Sequence, residues 1–114
     1  MSSGITKNLL QTELTQSLSG ITQIEAVFGF GSYFRGEPFN DIDLVLVFKE
    51  GSENTLETYE LVLSRLKEVT ARLGVRLHVT PFTANEFQQR PLREHALLVP
   101  LLPDNDVHFE NTRN

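Results

Sequence analysis

The stretch "FGFGSYFRGEPFNDIDLVLVF", residues 28–48, places two glycines and a serine after one apolar run, and two aspartates, one residue apart, at the head of another. Its second half decides the fold. "DIDLVLVF", residues 41–48, is short and rich in branched and aromatic residues, so it reads as a strand. In a strand, side chains two positions apart leave the same face, so Asp41 and Asp43 project together while Ile42 and Leu44 project to the other side. Two carboxylates held side by side repel each other unless a cation or a proton sits between them.

Upstream, "IEAVFGF" at residues 24–30 reads as a strand that feeds the glycine turn. Before it, Ile5, Leu9, Leu10, Leu14 and Leu18 recur at helical spacing over about residues 4–18, with Ser2 and Ser3 as caps and Gly20 as a stop. Downstream, "KEGSEN" supplies turn residues. A helix over 55–73 follows, with Leu56, Tyr59, Leu63, Leu66, Val69 and Leu73 on its core face and Gly74 as its stop. "VRLHVT", residues 75–80, alternates apolar and polar residues and reads as a third strand. Thr83 and Glu86 match a capping box, so a short helix should open near Ala84, and a second is expected to start at Pro91. Residues 91–102 are apolar enough to dock on the body, but Pro100 and Pro103 argue against a regular element beyond that point. The polar tail 104–114 is expected to be mobile, leaving residues 1–103 as one domain.

Composition narrows the function classes. With 39% apolar and 22% charged residues, the chain should fold. The net charge is -5 and the ten Lys and Arg residues are scattered, so no clustered phosphate footprint exists and strong nucleic-acid binding is not expected. The absence of cysteine removes disulfides, thiolate metal sites and cysteine nucleophiles. No apolar run approaches the roughly 20 residues of a membrane span, and the N-terminus lacks signal-peptide character, so a cytoplasmic protein is expected.

Oxygen-only donors suit hard cations, and magnesium commonly takes one or two carboxylates and completes its shell with water and phosphate oxygens. Asp41 and Asp43 are therefore candidates for magnesium ligands. The "GFGS" turn can offer backbone N–H groups and the Ser32 hydroxyl to an anion. Other glycine motifs do not fit: Phe34 stands where a dinucleotide fingerprint needs its third glycine, no P-loop ending is present, and Phe30 breaks the hydrolase elbow.

Strand, Gly-Ser, short helix and then D-x-D opening the next strand: this order resembles the signature of the minimal nucleotidyltransferases of the DNA polymerase β-like superfamily, over about Ile24 to Phe87. The resemblance implies an α+β fold, a nucleotidyltransferase-like mixed β-sheet flanked by α-helices. It implies that Gly31 and Ser32 bind the phosphates and that Asp41 and Asp43 hold magnesium, in two ions; apart from the resemblance, Arg35 on the short helix is a further candidate for a phosphate, although an arginine there is more often only solvated. The reaction implied is transfer of a nucleoside monophosphate, AMP from ATP foremost, to a protein or small-molecule hydroxyl. A HEPN-type helical protein in a toxin–antitoxin pair, or a second copy of the chain, is the implied partner.

Two departures stand out. Eight residues separate Ser32 from Asp41, slightly fewer than the family pattern. More consequentially, the strand position where the family carries a third carboxylate holds His78, with Arg76 and Thr80 on the same face. Imidazole can accept a proton but adds no negative charge to a metal site. Glu86 belongs to the cap, Glu94 is a weaker candidate, and His95 and His108 lack ligand-spaced partners. Two readings follow: an enzyme with His78 as its base, or a nucleotide-binding relative that acts as a sensor or a binding antitoxin.

Overall fold

The computed structural model describes residues 5–51, 54–89 and 98–103. Its elements run α1 (Lys7–Ser17), β1 (Ile24–Phe30), a 3-10 turn (Ser32–Arg35), β2 (Asp41–Phe48), α2 (Thr55–Leu73), β3 (Arg76–Thr83), α3 (Ala84–Gln89) and β4 (Val99–Leu102). The sheet order is β3-β2-β1-β4. β1 pairs antiparallel with β2 and β4, whereas β2 and β3 run parallel, so the sheet is mixed and the fold is α+β. A parallel pair needs a crossover, and α2 supplies it.

The continuous apolar run of β2 is explained by burial on both faces. Ile42, Leu44, Leu46 and Phe48 form a core with Leu10, Leu14 and Leu18 of the α1 segment and Val62, Leu66 and Val69 of α2. Val45 and Val47, on the opposite face, are equally buried. Their register partners include Phe28 and Phe82, and Phe87 of α3 stacks on Phe28 with ring centroids 5.2 Å apart. Each buried aliphatic side chain contributes about 1.5–3 kcal/mol, against about 0–1 kcal/mol for an exposed ion pair. The core therefore holds the fold, and the charged groups at the strand start are free to serve another purpose.

Several boundaries differ from expectation. α1 begins at Lys7, and its cap is Thr6, whose hydroxyl accepts the Leu9 N–H at 3.0 Å; Ser2 and Ser3 lie outside the described residues. Ile5 stays ahead of the helix and still packs on the core. On α2 the buried stripe is Val62, Leu66 and Val69, with Tyr59 and Leu73 partly buried beside it. Leu56 and Leu63, expected in the core, are exposed. Gly74 ends α2 as expected, with φ 76° and its N–H donating to the Thr70 carbonyl at 2.8 Å.

β3 continues past residue 80 through Pro81 to Thr83, and β4 forms around Pro100, where no regular element was expected. Both are edge strands, where half of the N–H groups face away from the sheet and a proline is tolerated. Leu101 is fully buried, and its carbonyl accepts the Gln11 side-chain amide at 3.0 Å. The capping box is present: Thr83 N–H donates to Glu86 Oε1 at 3.0 Å and Glu86 N–H to Thr83 Oγ1 at 3.1 Å. The helix expected at Pro91, together with Glu94, His95, His108 and the polar tail, lies outside the described residues. No helix among the described residues is long and apolar enough to cross a membrane.

Candidate active site

β2 starts beyond the last residue of β1 that pairs with it, since Phe30 is opposite Asp43. Asp41 and Ile42 thus pair only with β3, and the chain between the two strands folds over the gap. It does so through Gly31, at φ 90° and ψ -165°, a backbone region open essentially to glycine alone. A Cβ on Gly31 would lie 2.7 Å from Asp43 Oδ2, so the missing side chain also makes room for the carboxylate. Gly31 and Asp43 are in direct apposition.

The turn is anchored from below. Gly29 lacks a Cβ where one would overlap the far end of the Phe34 ring, so that ring sits directly against the β1 backbone. Tyr33 packs edge-on against both Phe34 and Phe39, and its hydroxyl donates to the Ile5 carbonyl at 3.1 Å. Burial raises the Tyr33 pKa above its ordinary value. Gly36, at φ 75°, closes the turn. Inside the turn the hydrogen bonds begin with the N–H groups of Phe34 and Arg35, both donating to the Gly31 carbonyl. The Ser32 hydroxyl forms no hydrogen bond with another described residue. Arg35 is exposed and held by Glu37, with Nε and Nη2 each 3.1 Å from Oε1, so it is not gathered to the carboxylates.

Across the pair stands β3. Parallel register sets Arg76 opposite Asp41 and His78 opposite Asp43. Arg76 Nε is 3.5 Å from Asp41 Oδ1, and His78 Nδ1 is 3.5 Å from Asp43 Oδ1. The positions that face the aspartates therefore carry basic groups. Among the described residues no group of three or more His, Cys, Asp or Glu side chains could hold a metal. The donor chemistry of Asp41 and Asp43 nevertheless fits one hard cation, which would draw its remaining ligands from water and phosphate.

The structure thus brings Gly31 against Asp43, sets Arg76 and His78 opposite the two aspartates, keeps Ser32 next to Gly31 in the turn, and leaves Arg35 with Glu37. Sequence reasoning missed the space-making role of Gly31 and the anchoring of the turn by Gly29, Phe34 and Tyr33. Their aromatic and glycine character was visible, but not their apposition across strands. A cavity of about 540 Å³ opens elsewhere, between α2 and β3, and the carboxylates occupy an open shelf instead.

Comparisons with known proteins agree with this architecture. The family description "Polymerase beta, Nucleotidyltransferase" matches residues 12–99. A crystal structure titled as a "putative nucleotidyltransferase" from Sulfolobus solfataricus superposes with a TM-score of 0.51 at 21% identity, covering 82% of this chain and 77% of that one. At that identity the likeness speaks for the fold. No curated protein matches the chain. The strand–turn–strand unit with its D-x-D pair and the family match over most of the chain lead to one conclusion: the chain belongs to the polymerase β-like nucleotidyltransferases, as a minimal member of that superfamily.

Proposed function

We propose that the protein is a magnesium-dependent enzyme that transfers a nucleoside monophosphate, AMP from ATP foremost, to a hydroxyl of a protein or small molecule. The observation that carries this reading is the apposition of Gly31 and Asp43, which makes the phosphate-binding turn and the metal-binding carboxylates one site. Asp41 and Asp43 hold the metal. Ser32 and the N–H groups ahead of the 3-10 turn orient the phosphates, and Arg35 would have to leave Glu37 to assist them. Bound magnesium supplies positive charge against the phosphate oxygens. The acceptor oxygen forms its bond to the α-phosphorus, the bond to the bridging oxygen breaks, and pyrophosphate leaves. His78, whose Nδ1 lies 3.5 Å from Asp43 Oδ1, takes the acceptor's proton. A second magnesium, expected for the family, would draw its ligands largely from the substrate.

One observation favours a second reading, a nucleotide-binding sensor or antitoxin without transfer activity: β3 opposes the carboxylates with Arg76 and His78, not with a carboxylate. In either reading a HEPN-type helical partner or a second copy would bring the acceptor or the target, and the setting would be the cytoplasm. Calorimetry with ATP, with and without magnesium, tests the site. Asp43→Asn should weaken binding in magnesium about tenfold or more and leave metal-free binding unchanged. Equal affinities for the two proteins in magnesium would make the pair structural. Transfer of label from α-labelled ATP then separates the enzyme from the binding protein.

A further inference from the structure

We propose that Arg76 is a phosphate-binding residue of this site, whose guanidinium leaves Asp41 for the phosphate chain of the nucleotide when a divalent cation takes that carboxylate. The inference rests on the nucleotidyltransferase reading above. It starts from how the arginines are held. Arg72 donates to Glu13 at 2.7 Å and to Ser17 Oγ at 3.1 Å, and Arg65 donates to the Ser17 carbonyl at 2.7 Å. These two stitch α2 to α1. Arg35 grips Glu37 with two nitrogens at 3.1 Å. Arg76 differs from all three. Its contact with Asp41 is 3.5 Å long, and its side chain is 77% exposed. A pair so long and so open to solvent is weak, so the guanidinium can move at little cost.

Its position gives the movement a destination. Arg76 faces Asp41 across one strand spacing, on the sheet face that carries Asp43 and His78. The Gly31 turn borders the same carboxylates from the β1 side. Phosphates seated over the carboxylates, beside the turn, would lie within one strand spacing of Arg76. A planar guanidinium with five donors suits phosphate oxygens better than it suits a single distant carboxylate oxygen. Its side chain is open to solvent, so the movement displaces no packed neighbour. Without ligand, Arg76 rests loosely beside Asp41; with ligand, metal and arginine share the phosphates.

The two roles predict shifts of opposite sign, which a purely structural arginine would not produce. Calorimetry on the full chain would titrate magnesium chloride alone, magnesium–ATP and adenosine into wild type, Arg76→Ala and Arg76→Lys. Arg76→Ala should bind magnesium alone about threefold more tightly, because a competing cation has left Asp41. It should bind magnesium–ATP about tenfold more weakly, with adenosine unchanged. Arg76→Lys should recover part of the ATP affinity. If ATP affinity is unchanged, or rises together with magnesium affinity, Arg76 is only a counter-ion and the proposal is overturned. Loss of ATP binding in wild type itself would overturn the functional reading and this proposal together; equal ATP binding by wild type and Arg76→Ala would overturn this proposal alone.

Discussion

On its β1 side the carboxylate pair meets a turn whose every dimension is fixed: Gly31 at positive φ against Asp43, Phe34 over Gly29, and Tyr33 tied to Ile5. On its β3 side it meets two exposed basic side chains, each 3.5 Å away. The first side is built by close packing and backbone conformation, which tolerate no substitution without strain. The second is built by exposed side chains in weak contact, which tolerate many. A site that must seat phosphates against a metal needs the first kind of order. A site that must exchange a resting partner for a ligand needs the second.

Gly31→Ala should break the comparison most severely. It combines a strained backbone with a Cβ at 2.7 Å from Asp43 Oδ2, and should destabilise the protein by about 3 kcal/mol. A double-mutant cycle sharpens this. In an Asp43→Ala background the contact is gone and only the backbone strain of about 1–2 kcal/mol should remain. Equal costs in both backgrounds, measured by urea unfolding, would mean that Asp43 does not rest on Gly31.

Tyr33→Phe tests the anchoring of the same side, at a smaller expected cost of about 1 kcal/mol for one part-buried hydrogen bond. It also carries a pH signature. Burial raises the Tyr33 pKa in the folded protein, so the neutral phenol is the form the fold prefers. The stability that this preference contributes is present below about pH 10 and is lost as pH rises through the folded-state value. Wild type should therefore lose more stability than Tyr33→Phe as pH rises above about 10 in thermal melts. Parallel alkaline curves for the two proteins would remove Tyr33 from the anchor.

How legible each side was in the sequence follows the same division. The β3 side was legible because strand alternation alone assigns Arg76, His78 and Thr80 to one face, and parallel register then pairs them with Asp41 and Asp43. The β1 side was legible only as a glycine turn, because the second demand on Gly31 comes from a residue twelve positions away that the fold delivers. β4 was missed for a related reason. Pro100 reads as a strand breaker until the sheet order shows that its strand lies on an edge. The stripe on α2 was displaced, with Val62 buried and Leu56 and Leu63 exposed, since neighbouring stripes at helical spacing overlap and only the sheet beneath decides between them.

His78→Asp should have the smallest effect on the fold and the most informative one on the site. His78 is 65% exposed on its side chain and touches Asp43 at 3.5 Å, so losing the imidazole costs little packing. The new carboxylate would face Asp43 and lie beside Asp41, a cluster of like charge that should lower stability by about 0.5–1 kcal/mol without a divalent cation. Magnesium should restore that loss by binding the folded state, and the melting temperature should rise with magnesium concentration more steeply than in wild type. His78→Asn, which removes the imidazole without adding charge, should show neither the loss nor the recovery. If His78→Asp is insensitive to magnesium, the β3 side does not face the metal, and the two sides of the carboxylate pair do not enclose one site. If magnesium restores it and label transfer from ATP increases, the exposed β3 side is where activity in this chain is set, while the packed β1 side only holds the phosphates in place.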